Sequence, residues 1–140
     1  MKNELVKKYM TQDPIVIGPE TTLPEAHQLM KAAGVRRLPV VASGLLIGFI
    51  TLEDIRDASP IDPASLSIYE LNYELANLSV RQVMTPDPVS VSASATIQEA
   101  SNLMLAHGIS GLPVLEGSKL VGIITESDIF RLLVTDSPSK

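Results

Sequence analysis

The chain contains no cysteine, so it has no disulfide framework, no thiolate nucleophile and no thiolate metal ligand. Its five aromatic residues, Tyr9, Phe49, Tyr69, Tyr73 and Phe130, are too few and too scattered for a base-stacking platform. Positive charge is also scarce: 11 Lys and Arg against 16 Asp and Glu leave a net charge of −5. A nucleic-acid backbone partner needs a clustered basic surface, so that class is disfavoured. No apolar run approaches the roughly 18–20 residues of a membrane span, and the polar start Met1-Lys-Asn-Glu is unlike a signal peptide. The expectation is a soluble cytoplasmic protein. His27 and His107 have no partner at metal or triad spacing and read as surface or boundary residues. With no nucleophile–base signature and no carboxylate pair separable from helix capping, the chain is not expected to be an enzyme or to need a metal or cofactor.

What is present is a core-forming composition, 45% hydrophobic against 19% charged, arranged as an internal duplication. Sliding the chain by 74 positions sets residues 10–56 on 84–130 with about 20 of 47 identical and no gap. Met10-Thr-Gln-Asp-Pro falls on Met84-Thr-Pro-Asp-Pro, and Gly34-Val-Arg-Arg-Leu-Pro-Val on Gly108-Ile-Ser-Gly-Leu-Pro-Val. Gly48-Phe-Ile-Thr51-Leu-Glu-Asp54-Ile falls on Gly122-Ile-Ile-Thr125-Glu-Ser-Asp128-Ile.

Each repeat reads as strand–helix–strand–strand–helix. A short amphipathic turn (Leu5 to Tyr9; Val80 to Met84) runs into Asp-Pro, whose Asp13 and Asp87 should be extended or in a turn because proline disfavours helix before it. Ile15-Val16-Ile17 fits a strand without showing which face is buried, whereas Val89 and Val91 alternate with serines as in a half-buried strand. Capping boxes Thr22-x-x-Glu25 and Thr96-x-x-Glu99 open helices ending at Gly34 and Gly108. Leu23, Ala26, Leu29, Met30 and Ala33, then Ile97, Ala100, Leu103, Met104 and Leu105, are their apolar positions. Met30 and Met104 read as packing. Strands Val35–Ala42 and Leu45–Ile50 follow, matched by Ile109–Leu115 and Leu120–Ile124, with hairpin-like connections at Ser43-Gly44 and Glu116–Lys119. Between repeats, Asp62-Pro63 starts a connecting helix over Ala64–Leu78, with Ile68, Leu71, Leu75 and Leu78 on one face. The expected organisation is repeat 1 over 1–57, a connector over 58–79, repeat 2 over 80–134 and a frayed tail over 135–140. A unit of about 50 residues is a poor domain alone, so the two should pack sheet-to-sheet about a pseudo-twofold axis in an α/β (α+β) fold.

At each strand-to-helix junction the Thr of Thr-x-x-Asp is placed as N-cap and the Asp at N3. Such a junction exposes backbone N–H groups and the positive end of a helix dipole, which suits phosphate. A carboxylate there can accept from the two vicinal hydroxyls of a ribose. Residue by residue, a helix cap and a nucleotide site read alike.

Taken together, Met-Thr-x-Asp-Pro, Gly-x-x-x-Leu-Pro-Val and Gly-x-Ile-Thr-x-x-Asp-Ile, all present twice, resemble a tandem CBS-domain pair, the Bateman module. The layout with Asp57-Ala-Ser-Pro before an inter-repeat helix is similar to small bacterial stand-alone CBS proteins of the acetoin-utilisation type. The resemblance implies a regulatory module whose clefts bind adenine nucleotides or S-adenosylmethionine-like ligands. Each cleft would take its Thr-x-x-Asp helix start from one repeat and its Asp-Pro and Gly-x-x-x-Leu-Pro segments from the other. One implied site combines Thr125, Ser127 and Asp128 with Asp13, Pro14, Ile15, Val35, Arg36 and Arg37. The second combines Thr51 and Asp54 with Asp87, Pro88, Val89, Ile109 and Ser110. Strand alternation should send Arg36 and Arg37 to opposite faces, so one guanidinium would meet a phosphate. The second repeat offers Ser110 and Gly111 there, and Glu53 replaces Ser127 at the Asp54 junction. The first site is therefore expected to favour phosphorylated nucleotides and the second to be weaker, empty or suited to a less charged ligand. Leu103–Ala106 covers more than one helix face, and the resemblance implies a homodimer that would bury it. A partner protein reading the ligand-bound arrangement is the expected effector. A structural dimerisation module with degenerate clefts is the competing reading.

Overall fold

A computed structural model describes residues 2–58 and 78–135. The connecting helix expected over Ala64–Leu78, apart from Leu78 itself, and the tail beyond Thr135 lie outside the described residues. The chain divides into two compact units. One, here the Asp54 unit, comprises Ile15–Asp87; the other, the Asp128 unit, comprises Met1–Pro14 together with Pro88–Lys140. Each repeat's leading segment is thus built into the unit that holds the other repeat's helices.

The Asp54 unit contains α2 (Leu23–Ala33), β2 (Arg37–Ala42), β3 (Leu45–Thr51), α3 (Leu52–Asp57), α4 (Val80–Val83) and β4 (Thr85–Pro86). The capping box at Thr22 and Glu25 opens α2, and Gly34, at φ 69°, closes it in the left-handed region that glycine adopts without a Cβ clash. Leu23, Ala26 and Met30 on one face of α2 are buried with Leu38, Val40 and Ile50 of the sheet. The strands run in the order β2-β3-β4, all antiparallel. Ser43 (φ 52°) and Gly44 (φ 79°) make the two-residue hairpin turn, both in the left-handed region that a type I′ connection requires.

In the Asp128 unit are α1 (Val6–Tyr9), β1 (Thr11–Gln12), β5 (Val91–Ser92), α5 (Ile97–His107), β6 (Gly111–Glu116), β7 (Lys119–Thr125) and α6 (Glu126–Thr135). Its sheet runs β1-β7-β6-β5, with β5 parallel to β6 across the α5 crossover and the other pairs antiparallel. Val91, Ala93 and Ala95 point into the core while Ser92 and Ser94 face out, so the alternation read from the sequence holds from Val91 onward, whereas Val89 and Ser90 are both half-buried.

Several expectations shift. The Ile15-Val16-Ile17 strand reduces to a single bridge, Ile17 with Val40, and only Ile17 is buried. Pro14 and Pro19 cannot donate to a ladder, and Asp13 turns the chain just before it. The two strands expected from Val35 and Ile109 begin later, at Arg37 and Gly111, because the preceding residues form the approach to the helix junction. Leu105, expected among the apolar face of α5, is 82% exposed.

The leading segments are held by backbone bonds as well as by packing. Val6 N–H donates to Ala95 C=O at 2.8 Å and Ile97 N–H to Glu4 C=O at 2.8 Å. The equivalents are Val80 N–H to Thr21 C=O at 2.7 Å and Leu23 N–H to Leu78 C=O at 3.0 Å. Val6 and Val80 are fully buried, each in the core of its own unit. No helix among the described residues is long and apolar enough to cross a membrane.

Candidate functional site

The two Thr-x-x-Asp junctions are built alike. At the first, Thr51 N–H donates to Asp54 Oδ2 at 2.9 Å and Asp54 N–H donates to Thr51 Oγ1 at 3.1 Å, a reciprocal capping box. At the second, Thr125 N–H donates to Asp128 Oδ2 at 2.9 Å and Asp128 N–H to Thr125 Oγ1 at 3.4 Å. In both, the cap occupies one carboxylate oxygen and fixes the direction of the other.

The segment before the hairpin completes each junction. Leu52 N–H donates to Arg36 C=O at 2.8 Å, and Glu126 N–H donates to Ser110 C=O at 3.0 Å. The first free amide of each helix is therefore satisfied by the Gly-x-x-x-Leu-Pro loop of the same unit. Sequence reasoning missed this contact; its signal was the constant spacing between the loop and Thr-x-x-Asp in both repeats.

The junctions differ in charge. Arg36 Nη2 donates to Glu53 Oε1 at 2.8 Å, within the Asp54 unit. Glu53 is held below the usual carboxylate range first by its own backbone amide, against a desolvation cost, and then by Arg36. At the start of α3 the protein thus carries a carboxylate of its own, whose charge disfavours an incoming anion there. At the equivalent place Ser127 presents only a hydroxyl. Asp128 is the buried charged residue of the described chain, 5% exposed, whereas Asp54 is half-buried. Arg131 donates to the second oxygen, Oδ1, of Asp128.

The Asp-Pro segments bring a further feature. Asp13 (φ 49°) and Asp87 (φ 46°) adopt left-handed backbone, which a non-glycine residue does rarely and Asp more readily than most. They form bends rather than extended chain. Gln12 pairs with Gly122, and Pro86 with Gly48. Those glycines lie three residues before Thr125 and Thr51, so each Asp is about 10 Å or more along the strand from its cap.

The residues expected together are divided between the units. Thr125, Ser127, Asp128, Asp13, Pro14, Pro88, Val89, Ile109 and Ser110 lie in the Asp128 unit. Ile15, Val35, Arg36, Arg37, Thr51, Asp54 and Asp87 lie in the Asp54 unit. Among the described residues no cluster of His, Asp and Glu has the makings of a metal site.

The CBS-domain model matches this chain twice, over residues 6–61 and 80–135. The chain belongs to the CBS-domain family. An inosine-5′-monophosphate dehydrogenase from Korarchaeum cryptofilum is 32% identical over 125 residues, 89% of this chain; the chain spans about a quarter of that relative, 23% of its length. CBSX2 of Arabidopsis thaliana, solved in complex with AMP, superposes with a TM-score of 0.81 at 26% identity, covering 95% of this chain and 98% of the other. The CBS-domain pair of protein MJ0100, solved with 5′-methylthioadenosine and S-adenosyl-L-methionine, gives 0.76 at 25% identity over 95% and 98% of the two chains. A candidate acetoin-utilization protein from Vibrio cholerae gives 0.73 at 30% identity over 93% and 90%. CBS-pair architecture therefore accounts for both repeats and for the mixed α/β fold.

Proposed function

We propose that this CBS pair is a regulatory module that binds an adenosine-containing ligand at its Thr-x-x-Asp junctions, with an adenine nucleotide as the leading ligand. The carrying observation is the repeated capped carboxylate, with one oxygen spent on the helix start and the other directed away from the cap. A ribose offers two adjacent hydroxyl donors to such a group. Solved relatives with AMP, and with methylthioadenosine and S-adenosylmethionine, support the adenosine class. Exposed aliphatic residues Ile15, Val35 and Ile109 suit the faces of a base.

In this reading Asp128 binds ribose with Thr125 and Ser127 beside it, and this junction favours phosphorylated ligands. The Asp54 junction, where Glu53 adds a carboxylate to the first helical turn, suits a ligand with less negative charge. The ligand shifts a conformational equilibrium that a partner protein reads, with no catalytic step, and the module works in the cytoplasm as a homodimer. Phe130, Leu133 and Val134, exposed together on α6, supply apolar surface for a second copy. Sedimentation showing only monomer at micromolar concentration would remove the dimer.

Thermal unfolding with AMP, ATP, adenosine and S-adenosylmethionine tests the reading. A ligand at 100 times its dissociation constant that binds only the folded state adds about 2.7 kcal/mol of stability. No shift with any of them would leave the structural dimerisation module as the better account.

A further inference from the structure

Asp128 carries an interaction with no equivalent at Asp54 among the described residues. Its Oδ2 accepts from Thr125 N–H at 2.9 Å and from the Thr125 hydroxyl at 3.2 Å. Its Oδ1, the oxygen left over by the cap, accepts from the Arg131 guanidinium one turn along α6. Arg131 itself is 67% exposed at its side chain, while the Asp128 side chain is 4% exposed. The acceptor is enclosed, and the group that occupies it projects into solvent.

The duplication supplies an internal control. The position equivalent to Arg131, 74 residues earlier, is Asp57, which cannot donate to a carboxylate. Among the described residues nothing donates to Oδ1 of Asp54. Among the described residues the two junctions share the cap and differ in whether the remaining oxygen is taken.

Resting on the proposed ribose-binding role of Asp128, we propose that Arg131 is a built-in competitor for the ligand. Its guanidinium holds the acceptor oxygen that ribose hydroxyls need, and binding requires it to swing away. A charge-assisted bond is exchanged for bonds from neutral hydroxyls, so the ion pair subtracts from ligand affinity. Displacement is cheap in packing terms because the guanidinium is solvent-facing. The direction of this effect separates a competitor from a residue that merely orients Asp128: removing a competitor tightens binding, and removing an orienting group loosens it.

The test uses the full chain in an Asp54→Ala background, so that one junction reports, and adenosine as the probe. Adenosine carries the vicinal hydroxyls and no phosphate for Arg131 to attract. Titration calorimetry should show Arg131→Gln binding adenosine about threefold more tightly, since a partly exposed ion pair is worth little more. Arg131→Lys should remain closer to the parent. Equal or weaker binding by Arg131→Gln, with Asp128→Ala abolishing binding, would overturn the competitor while leaving the ribose site intact. Absence of adenosine and AMP binding to both the parent and Arg131→Gln would bring down the functional reading and the competitor together. A second measurement needs no Arg131 variant. Saturating adenosine should return the Arg131 side-chain N–H resonances to fast solvent exchange, and their persistence in the bound state would also overturn the proposal.

Discussion

At the residue scale, single side chains at equivalent positions set the two halves apart. His27 on α2 is an example away from the junctions; its counterpart is Ser101. Burial, and then Lys31 and Arg56, hold its pKa below the ordinary value of 6.5. The unfolded chain therefore takes up the proton more readily than the folded one. Stability should fall as pH drops through about 6.5 and level off once the pH is below the lowered folded-state value. His27→Gln should abolish this component, read as the difference in urea midpoint between about pH 7.5 and about pH 5.5. An unchanged pH dependence in the variant would show that His27 is not its source. The capping roles of Thr51, Asp54, Thr125 and Asp128 were legible in the sequence because a cap is a local signal. The Arg36–Glu53 pair, joining residues 17 apart, was not: two charges meet there only because the β2–β3 hairpin folds Arg36 back onto the start of α3.

At the element scale, the leading segments explain why each repeat keeps a glycine ahead of Ile-Thr. Met10 lies across Gly122, and Met84 across Gly48. A Cβ at Gly48 would overlap only the flexible Met84 side chain, whereas at Gly122 it would also meet the backbone oxygen of Thr11 at 2.8 Å. Gly122→Ala should therefore be the more destabilising, by about 1–3 kcal/mol as for other overpacked sites, and Gly48→Ala distinctly less. Chemical denaturation of the two variants compares them; equal losses would mean that β1 shifts as freely as a methionine rotates. The sequence showed both motifs without showing that Met10 of one repeat packs on Gly122 of the other. Periodicity reports a helix or strand, but partner choice between two copies of one pattern is decided by tertiary packing. The expected strand at Ile15–Ile17 failed for a related reason. β-branched composition favours extended chain, yet proline on both sides and the left-handed Asp13 leave only Ile17 able to join β2.

For the whole molecule, duplication has produced two units of one plan with unequal chemistry. The fold was largely readable because it is specified twice: the two cores use Leu23, Ala26, Met30 and Ile97, Ala100, Met104 at matching positions. The inequality of the junctions was readable only in part. Ser127 against Glu53 was visible as a substitution, while the pairing of Glu53 with Arg36 and of Asp128 with Arg131 appears only in the folded chain. In the proposed reading Glu53 opposes a phosphate at the Asp54 junction, and Arg131 sets a threshold for any ribose at the Asp128 junction. The most direct measurement of the central claim is calorimetric titration of AMP into the wild-type chain, Asp128→Ala and Asp54→Ala. Loss of a hydrogen-bonded charged acceptor should weaken binding at its junction by about tenfold or more. The account predicts that loss for Asp128→Ala, with Asp54→Ala retaining the tighter AMP isotherm. Equal losses of AMP affinity from the two variants would contradict it.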